Sequence, residues 1–153
     1  MTATTPFSLT VPARWGDMDF NAHMANTAYL DLGAEARLAY FETQGFSAGE
    51  FQRHGIGPVV QEDVLTYFAE IRLRESVRVT LELAGLSADG ARFRFRNLFH
   101  RADAKLAARL SSTGGWLDLA QRRLTAPPDA LRLVLENLSR TEDFVVLPTK
   151  SRP

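Results

Sequence analysis

The run Asn26-Thr27-Ala28-Tyr29-Leu30-Asp31-Leu32-Gly33-Ala34-Glu35-Ala36-Arg37-Leu38-Ala39-Tyr40-Phe41-Glu42-Thr43-Gln44 is apolar on almost every side once it is wound as a helix. Tyr29, Leu32, Gly33, Ala36 and Tyr40 form one stripe, and Leu30, Ala34, Leu38 and Phe41 form a second. Thr27, Asp31, Glu35 and Glu42 leave only a narrow polar strip between them. A helix with so little polar surface is largely enclosed, and a sheet wrapped around it accounts for the pattern. Asn26 is the expected cap and Gly45 the expected stop.

Strand patterns lie on both sides of this helix. Phe7, Leu9 and Val11 alternate with Ser8 and Thr10 and end near Pro12. Beyond a loop with some helical content over residues 45–57, Pro58 to Phe68 reads as a strand whose alternation breaks at Gln61-Glu62-Asp63. Val77, Val79, Leu81 and Leu83 form the next alternating run, and Asp89-Gly90 signals a hairpin. Phe93, Phe95, Asn97 and Phe99 return, then Leu106, Ala108 and Leu110, with Gly114-Gly115 read as a bulge before Trp116. These three runs predict an antiparallel meander with one buried face. Pro127-Pro128-Asp129 opens a short helix whose Leu131, Val134, Leu135 and Leu138 should cover the sheet or a partner. Residues from Thr141 onward read as a loosely docked tail, in which Phe144-Val145-Val146-Leu147 has the makings of a short extended piece.

Composition sets the outer limits. With 153 residues the chain makes one domain and buries about 70% of its unfolded surface without staples. It has no cysteine, which excludes disulfides, thiolate metal sites and a cysteine nucleophile. Lys plus Arg and Asp plus Glu both total 18, a balance that argues against a general nucleic-acid binder. The opening Met-Thr-Ala-Thr-Thr-Pro-Phe lacks the charged start and apolar run of a signal peptide. No stretch approaches the ~20 apolar residues of a membrane span, so a cytoplasmic location is the expectation. The three histidines lack metal-ligand spacing, and neither a Gly-x-Ser-x-Gly elbow nor a Gly-rich phosphate loop occurs.

Chemistry concentrates just upstream of the long helix, in Asp17-Met18-Asp19-Phe20-Asn21-Ala22-His23-Met24-Ala25. A loop feeding a helix N-terminus can hold a carboxylate beside free backbone N–H groups. Such a pairing suits attack on a carbonyl: the carboxylate is base or nucleophile and the helix end receives the oxyanion. Residue types alone leave turn capping open as a second role for these aspartates. His54 and His100 stand outside any such cluster.

The segment from Asp17 to Tyr29 resembles the signature of hotdog-fold thioesterases of the 4-hydroxybenzoyl-CoA thioesterase-like group. The spacing of Asn21 and His23 is closest to the acyl-ACP thioesterase form, Asp-x-Asn-x-His-x-Asn-Asn-x-x-Tyr. The order of later segments, from Val59-Val60 through Tyr67 to Asp118-Leu119-Ala120-Gln121-Arg122-Arg123 before Pro127-Pro128, is also similar. The resemblance implies an α+β chain: one hotdog domain over residues 1–140, with an antiparallel β-sheet wrapped around a long central α-helix, and a C-terminal tail over 141–153. It implies hydrolysis of an acyl thioester of coenzyme A or acyl-carrier protein, with Asp19 as general base or nucleophile. Asn21 and His23 would position the thioester and assist proton transfer, His23 having helix capping as its other role. Backbone N–H groups at Ala25 and Asn26 would form the oxyanion hole, and Asp17 would order the loop. No cofactor or metal is implied, coenzyme A or phosphopantetheine entering as part of the substrate. Homodimers or tetramers with sites at the subunit interface are expected, with neither nucleic acid nor membrane as partner.

Three positions depart from the pattern. Ala25 replaces one asparagine of His-x-Asn-Asn, Ala22 stands where glycine is common, and Ala69-Glu70 replaces an Arg-Pro. The Ala25 replacement keeps a second class of function in play, a hotdog protein that binds or scaffolds acyl thioesters without turning them over. A hydratase or dehydratase on the same fold is a third reading, set against the thioesterase motif around Asp19.

Overall fold

The computed structural model describes residues 5–149. The alternating run Phe7–Pro12 forms β1, and the apolar run Ala28–Thr43 forms the long helix α1. Then come a short helix α2 (Ala48–His54) and strands β2 (Ile56–Tyr67), β3 (Ser76–Ser87), β4 (Arg92–His100), β5 (Leu106–Asp118) and β6 (Arg123–Thr125). Helix α3 (Asp129–Glu136) and strand β7 (Arg140–Leu147) complete the order. The strands form one sheet in the order β1-β3-β4-β5-β2, with β6 hydrogen-bonded to β5 and β7 to β3. All pairs are antiparallel except β3 with β7. This α+β architecture, a curved sheet around one long helix, is the hotdog fold. Among the described residues no helix is long and apolar enough to cross a membrane.

The core lies between α1 and the concave face of the sheet, in two clusters. Tyr29, Leu32 and Ala36 pack on Val77, Val79, Phe99 and Leu110. One to two turns further along, Tyr40 and Phe41 pack on Phe93, Phe95 and Trp116, where α3 adds Leu131, Val134 and Leu135. Gly33 lets the helix approach closely, because a Cβ there would stand 2.7 Å from Leu110 and 2.9 Å from Asn97. The first stripe of the helix is therefore buried, but most of the second is not. Leu30 is 37% and Leu38 38% exposed, because β2 ends the sheet and covers neither.

Three local expectations change. The helix begins at Ala28 rather than beside Asn26; its N-cap position is Thr27, which makes no side-chain capping bond. The bulge foreseen at Gly114-Gly115 lies instead on the neighbouring strand, where the β2–β5 register shifts between Val60 and Glu62. Gly114 sits opposite this bulge, and a Cβ there would overlap the Val59 carbonyl oxygen. The glycine pair thus admits an irregular neighbour while staying in register with Arg92 and Phe93 of β4. Residues 140–147 are not a loose tail: Gly85, Leu86 and Ser87 pair with Val145, Val146 and Leu147, and Arg96 Nη1 meets Asp143 Oδ1 at 2.7 Å. Parallel pairing with β3 gave no alternation signal, because Glu142-Asp143 interrupt the apolar residues. Residues 150–153 of the expected tail lie outside the described residues.

Candidate active site

The loop between β1 and α1 is folded by its own aspartates. A short 3-10 turn, Trp15–Asp17, buries Asp17. Its Oδ2 accepts the Arg14 backbone N–H at 2.9 Å and its carbonyl oxygen accepts the Ala25 N–H at 2.8 Å. Asp17 therefore fastens both ends of the loop, and its side chain lines neither of the two cavities at Asp19, one at the N-terminus of α1 and one of about 570 Å³ walled by Trp15, Gly16, Met18, Phe20, Ala22 and Leu73. Asp19 lies at the base of a tight turn, where its backbone N–H donates to the His23 carbonyl at 3.0 Å. Its Oδ1 accepts the Asn21 backbone N–H at 2.8 Å. This fixes the carboxyl plane and leaves Oδ2, 3.9 Å from His23 Nδ1, for other chemistry.

The turn has a backbone cost. Ala22 has φ 67°, in the left-handed region that costs a residue with a Cβ roughly 1–2 kcal/mol. That cost explains why glycine suits the position before the histidine. Ala22→Gly is expected to raise unfolding free energy by about 1 kcal/mol in denaturant melts; no gain would mean that the loop relaxes around the alanine.

Asp19, His23, Met24, Asn26, Tyr29, Tyr67, Phe68, Ala69 and Glu70 enclose a cavity of about 310 Å³ at the N-terminus of α1. His23 Nδ1 lies 3.2 Å from the Met24 carbonyl oxygen, a contact that places the proton on Nδ1 and leaves Nε2 as the free ring nitrogen. The imidazole bonds to no helix N–H and so does not cap α1. Among the described residues the backbone N–H groups of Asn26 and Thr27 have no protein acceptor. The Ala25 N–H is consumed by Asp17, so the free donors start one residue later than the sequence implied. Asn21 is exposed and lines neither cavity at Asp19; what it gives the site is its backbone N–H.

Two tyrosines complete the wall, neither of them singled out as a site residue by the sequence. The Tyr67 hydroxyl donates to the Asn26 carbonyl at 3.1 Å and so ties the end of β2 to the start of α1. Tyr29 packs edge-on against Tyr67 and Phe99, with ring centroids 5.3 and 5.2 Å away. Burial, followed by Tyr67 and Asp19, pushes its phenol up to about 12, so it stays a protonated donor at neutral pH. Helical spacing had placed Tyr29 in the buried stripe, which is correct for its ring and silent about its hydroxyl. Among the described residues no group of three or more histidine, aspartate or glutamate side chains is placed to hold a metal ion.

The profile of the thioesterase-like superfamily matches residues 13–135. The chain belongs to that superfamily. No curated protein sequence matches it significantly. Among solved structures, it is similar to the PA2801 protein of Pseudomonas aeruginosa, a candidate thioesterase, with 28% identity and a TM-score of 0.73 over 84% of this chain and 97% of that one. Staphylococcus aureus SAV2348, determined in complex with CoA, has 20% identity and a TM-score of 0.80 over 100% and 92% of the two chains. Slr0204 from Synechocystis, a 1,4-dihydroxy-2-naphthoyl-CoA thioesterase, has 18% identity and a TM-score of 0.78 over 88% and 98%. The last two likenesses are of fold.

Proposed function

We propose that this protein hydrolyses acyl thioesters of coenzyme A or of a phosphopantetheine-bearing carrier, with Asp19 as the reacting carboxylate. The observation that carries this reading is the pairing of Asp19, anchored through one oxygen, with the unpaired N–H group of Asn26 around one cavity, the unpaired N–H of Thr27 following it in the chain. Asp19 Oδ2 takes a proton from water as the water oxygen attacks the thioester carbonyl. The tetrahedral oxyanion is held by the helix N–H groups and the Tyr29 hydroxyl. Collapse breaks the C–S bond, and the leaving sulfur takes the proton from Asp19. His23, with Nε2 free, orients the water or the carbonyl. No step as written requires a metal or cofactor. Direct attack by Asp19 uses the same residues. In a single turnover in heavy-oxygen water the base route labels the product acid and never the enzyme, so label in the Asp19 carboxylate marks direct attack followed by water opening the anhydride at the Asp19 carbon. A screen of acyl-CoA and acyl-carrier thioesters with thiol detection tests the function and separates the two carriers. His23→Ala is expected to lower turnover about 10²-fold with little change in melting temperature; the reverse pattern would make His23 structural.

The same reading includes a homodimer. Strand β2 is an uncovered edge that exposes Val60, Val64 and Tyr67, and the adjoining α1 stripe exposes Leu30 and Leu38. Self-pairing of β2 about a twofold axis is antiparallel and covers the edge. It sets the Tyr67 end of one strand beside the Ile56 end of its partner. Light scattering is expected to give at least twice the 17.0 kDa chain mass; a monomer at micromolar concentration would remove the shared-site arrangement.

A further inference from the structure

A further cavity, of about 450 Å³, opens at the other end of α1. Its walls are Ala34, Leu38 and Phe41 from α1, Phe51 from α2, and Phe93 and Phe95 from β4, among other mainly apolar groups. Among the described residues Arg37 is the one charged side chain lining it. The Arg37 guanidinium sends Nη1 to Ser112 Oγ at 3.3 Å, and Ser112 Oγ lies 2.5 Å from Asp63 Oδ1. Ser112 is fully buried and pairs across the sheet with Asp63 on β2, to which it donates its hydroxyl hydrogen bond without transferring the proton. This chain of hydrogen bonds fixes the direction of the guanidinium but uses one of its five donors. The other four have no protein acceptor among the described residues.

Placing a cation on an apolar wall is costly unless something pairs with it. The partial partner is Asp63, which is exposed and hydrogen-bonded to Ser112 rather than to the guanidinium. Burial lowers the Arg37 pKa, and the pull of Asp63 in the other direction is the smaller influence. The cavity is therefore short of negative charge at the place where its donors are free. A planar fork with free donors in an apolar surround matches a carboxylate, which can accept two parallel bonds.

From this geometry we infer that the cavity receives the far end of the acyl group and that Arg37 selects acyl chains ending in a carboxylate. The inference rests on the thioesterase reading and names its substrate class: the mono-thioester of a dicarboxylic acid, with an apolar body between thioester and carboxylate. Arg37 stands eight residues, about 12 Å, along the helix from Tyr29, the reach of a medium-length chain.

Suberoyl-CoA, octanoyl-CoA and ω-hydroxyoctanoyl-CoA test it on the full-length chain. The ratio of kcat/KM for suberoyl-CoA to that for octanoyl-CoA is expected to exceed one by roughly 10- to 100-fold. Arg37→Met should erase this preference and Arg37→Lys should keep part of it, with melting temperatures recorded for both. Equal losses on both substrates in Arg37→Met, or no carboxylate preference in the wild-type protein, would reduce Arg37 to a tie between helix and sheet. A preference for the hydroxyl-ended chain would overturn the carboxylate assignment. Equilibrium binding of the same thioesters to Asp19→Asn separates the two readings. Selective binding that is lost on adding Arg37→Met, with no hydrolysis by the wild type, would keep the inference and refute the hydrolase. Binding without selectivity would overturn the inference whatever the catalysis.

Discussion

Asp19→Asn is expected to lower thioester hydrolysis by roughly 10²–10⁴-fold, the usual scale for a positioned proton-transfer group. The substitution preserves size and retains an oxygen to accept the Asn21 N–H bond now made at 2.8 Å. It removes the charge and basicity of the remaining oxygen. The Asn26 and Thr27 donors and the Tyr29 phenol are untouched, so thioester binding should persist. Binding should tighten if the carboxylate repels the carbonyl oxygen in the ground state. Asp17→Asn is the control. Its carboxylate holds Arg14 in the loop and lines neither cavity at Asp19, so its main cost should fall on loop order and melting temperature. Full activity in a folded Asp19→Asn protein would end the mechanism, and loss of folding would show that the turn depends on the charge.

Gly114→Val should produce the largest loss of stability. A Cβ at this position would overlap the Val59 carbonyl, with Val59 C at 2.8 Å and Val60 Cα at 2.9 Å. All three are backbone atoms, so no side chain can rotate to make room. The bulged half of β2 must then separate from β5. The expected cost is roughly 3 kcal/mol or more, and a melting temperature lower by about 10 °C. Because β2 also forms one side of each α1 cavity and the proposed dimer edge, thioester turnover and dimer content should fall together. Gly16→Ala, with nothing within 4 Å of the new Cβ, is the matched control. An unchanged melt for Gly114→Val would mean that β2 can slide at its bulge without loss.

The alternating runs in β1, β3 and β4 and the two-stripe helix were readable because one residue in two, or one helix face, is paired with a buried surface. Phe93, Phe95, Asn97 and Phe99 all point inward, as their spacing required. Strand β7 escaped because its pairing is parallel, at the far edge of β3, and five of its eight residues face water. The Gly114-Gly115 signal was real but pointed across the ladder: glycine marked where a neighbour comes close, not where its own strand bends.

At the site, the motif located the loop and the side of the helix, but not who donates to whom. The use of the Ala25 N–H by Asp17 depends on backbone geometry that no residue type reveals. Tyr67 reaches the Asn26 carbonyl from 41 residues away. Arg37 had appeared only as one residue inside an apolar helix; its unused donors became visible once Ser112 and Asp63 were seen behind it.

The central claim is that the chain turns thioesters over at Asp19 rather than merely holding them. Free thiol followed over time, with acyl-CoA in excess over purified full-length protein, addresses this most directly. The account predicts thiol release continuing well past one equivalent per subunit, matched by free acid and nearly abolished in Asp19→Asn. Saturable thioester binding with no thiol beyond spontaneous hydrolysis would contradict it and make the protein an acyl-thioester carrier; water addition to an enoyl thioester without thiol release would contradict it in favour of a hydratase.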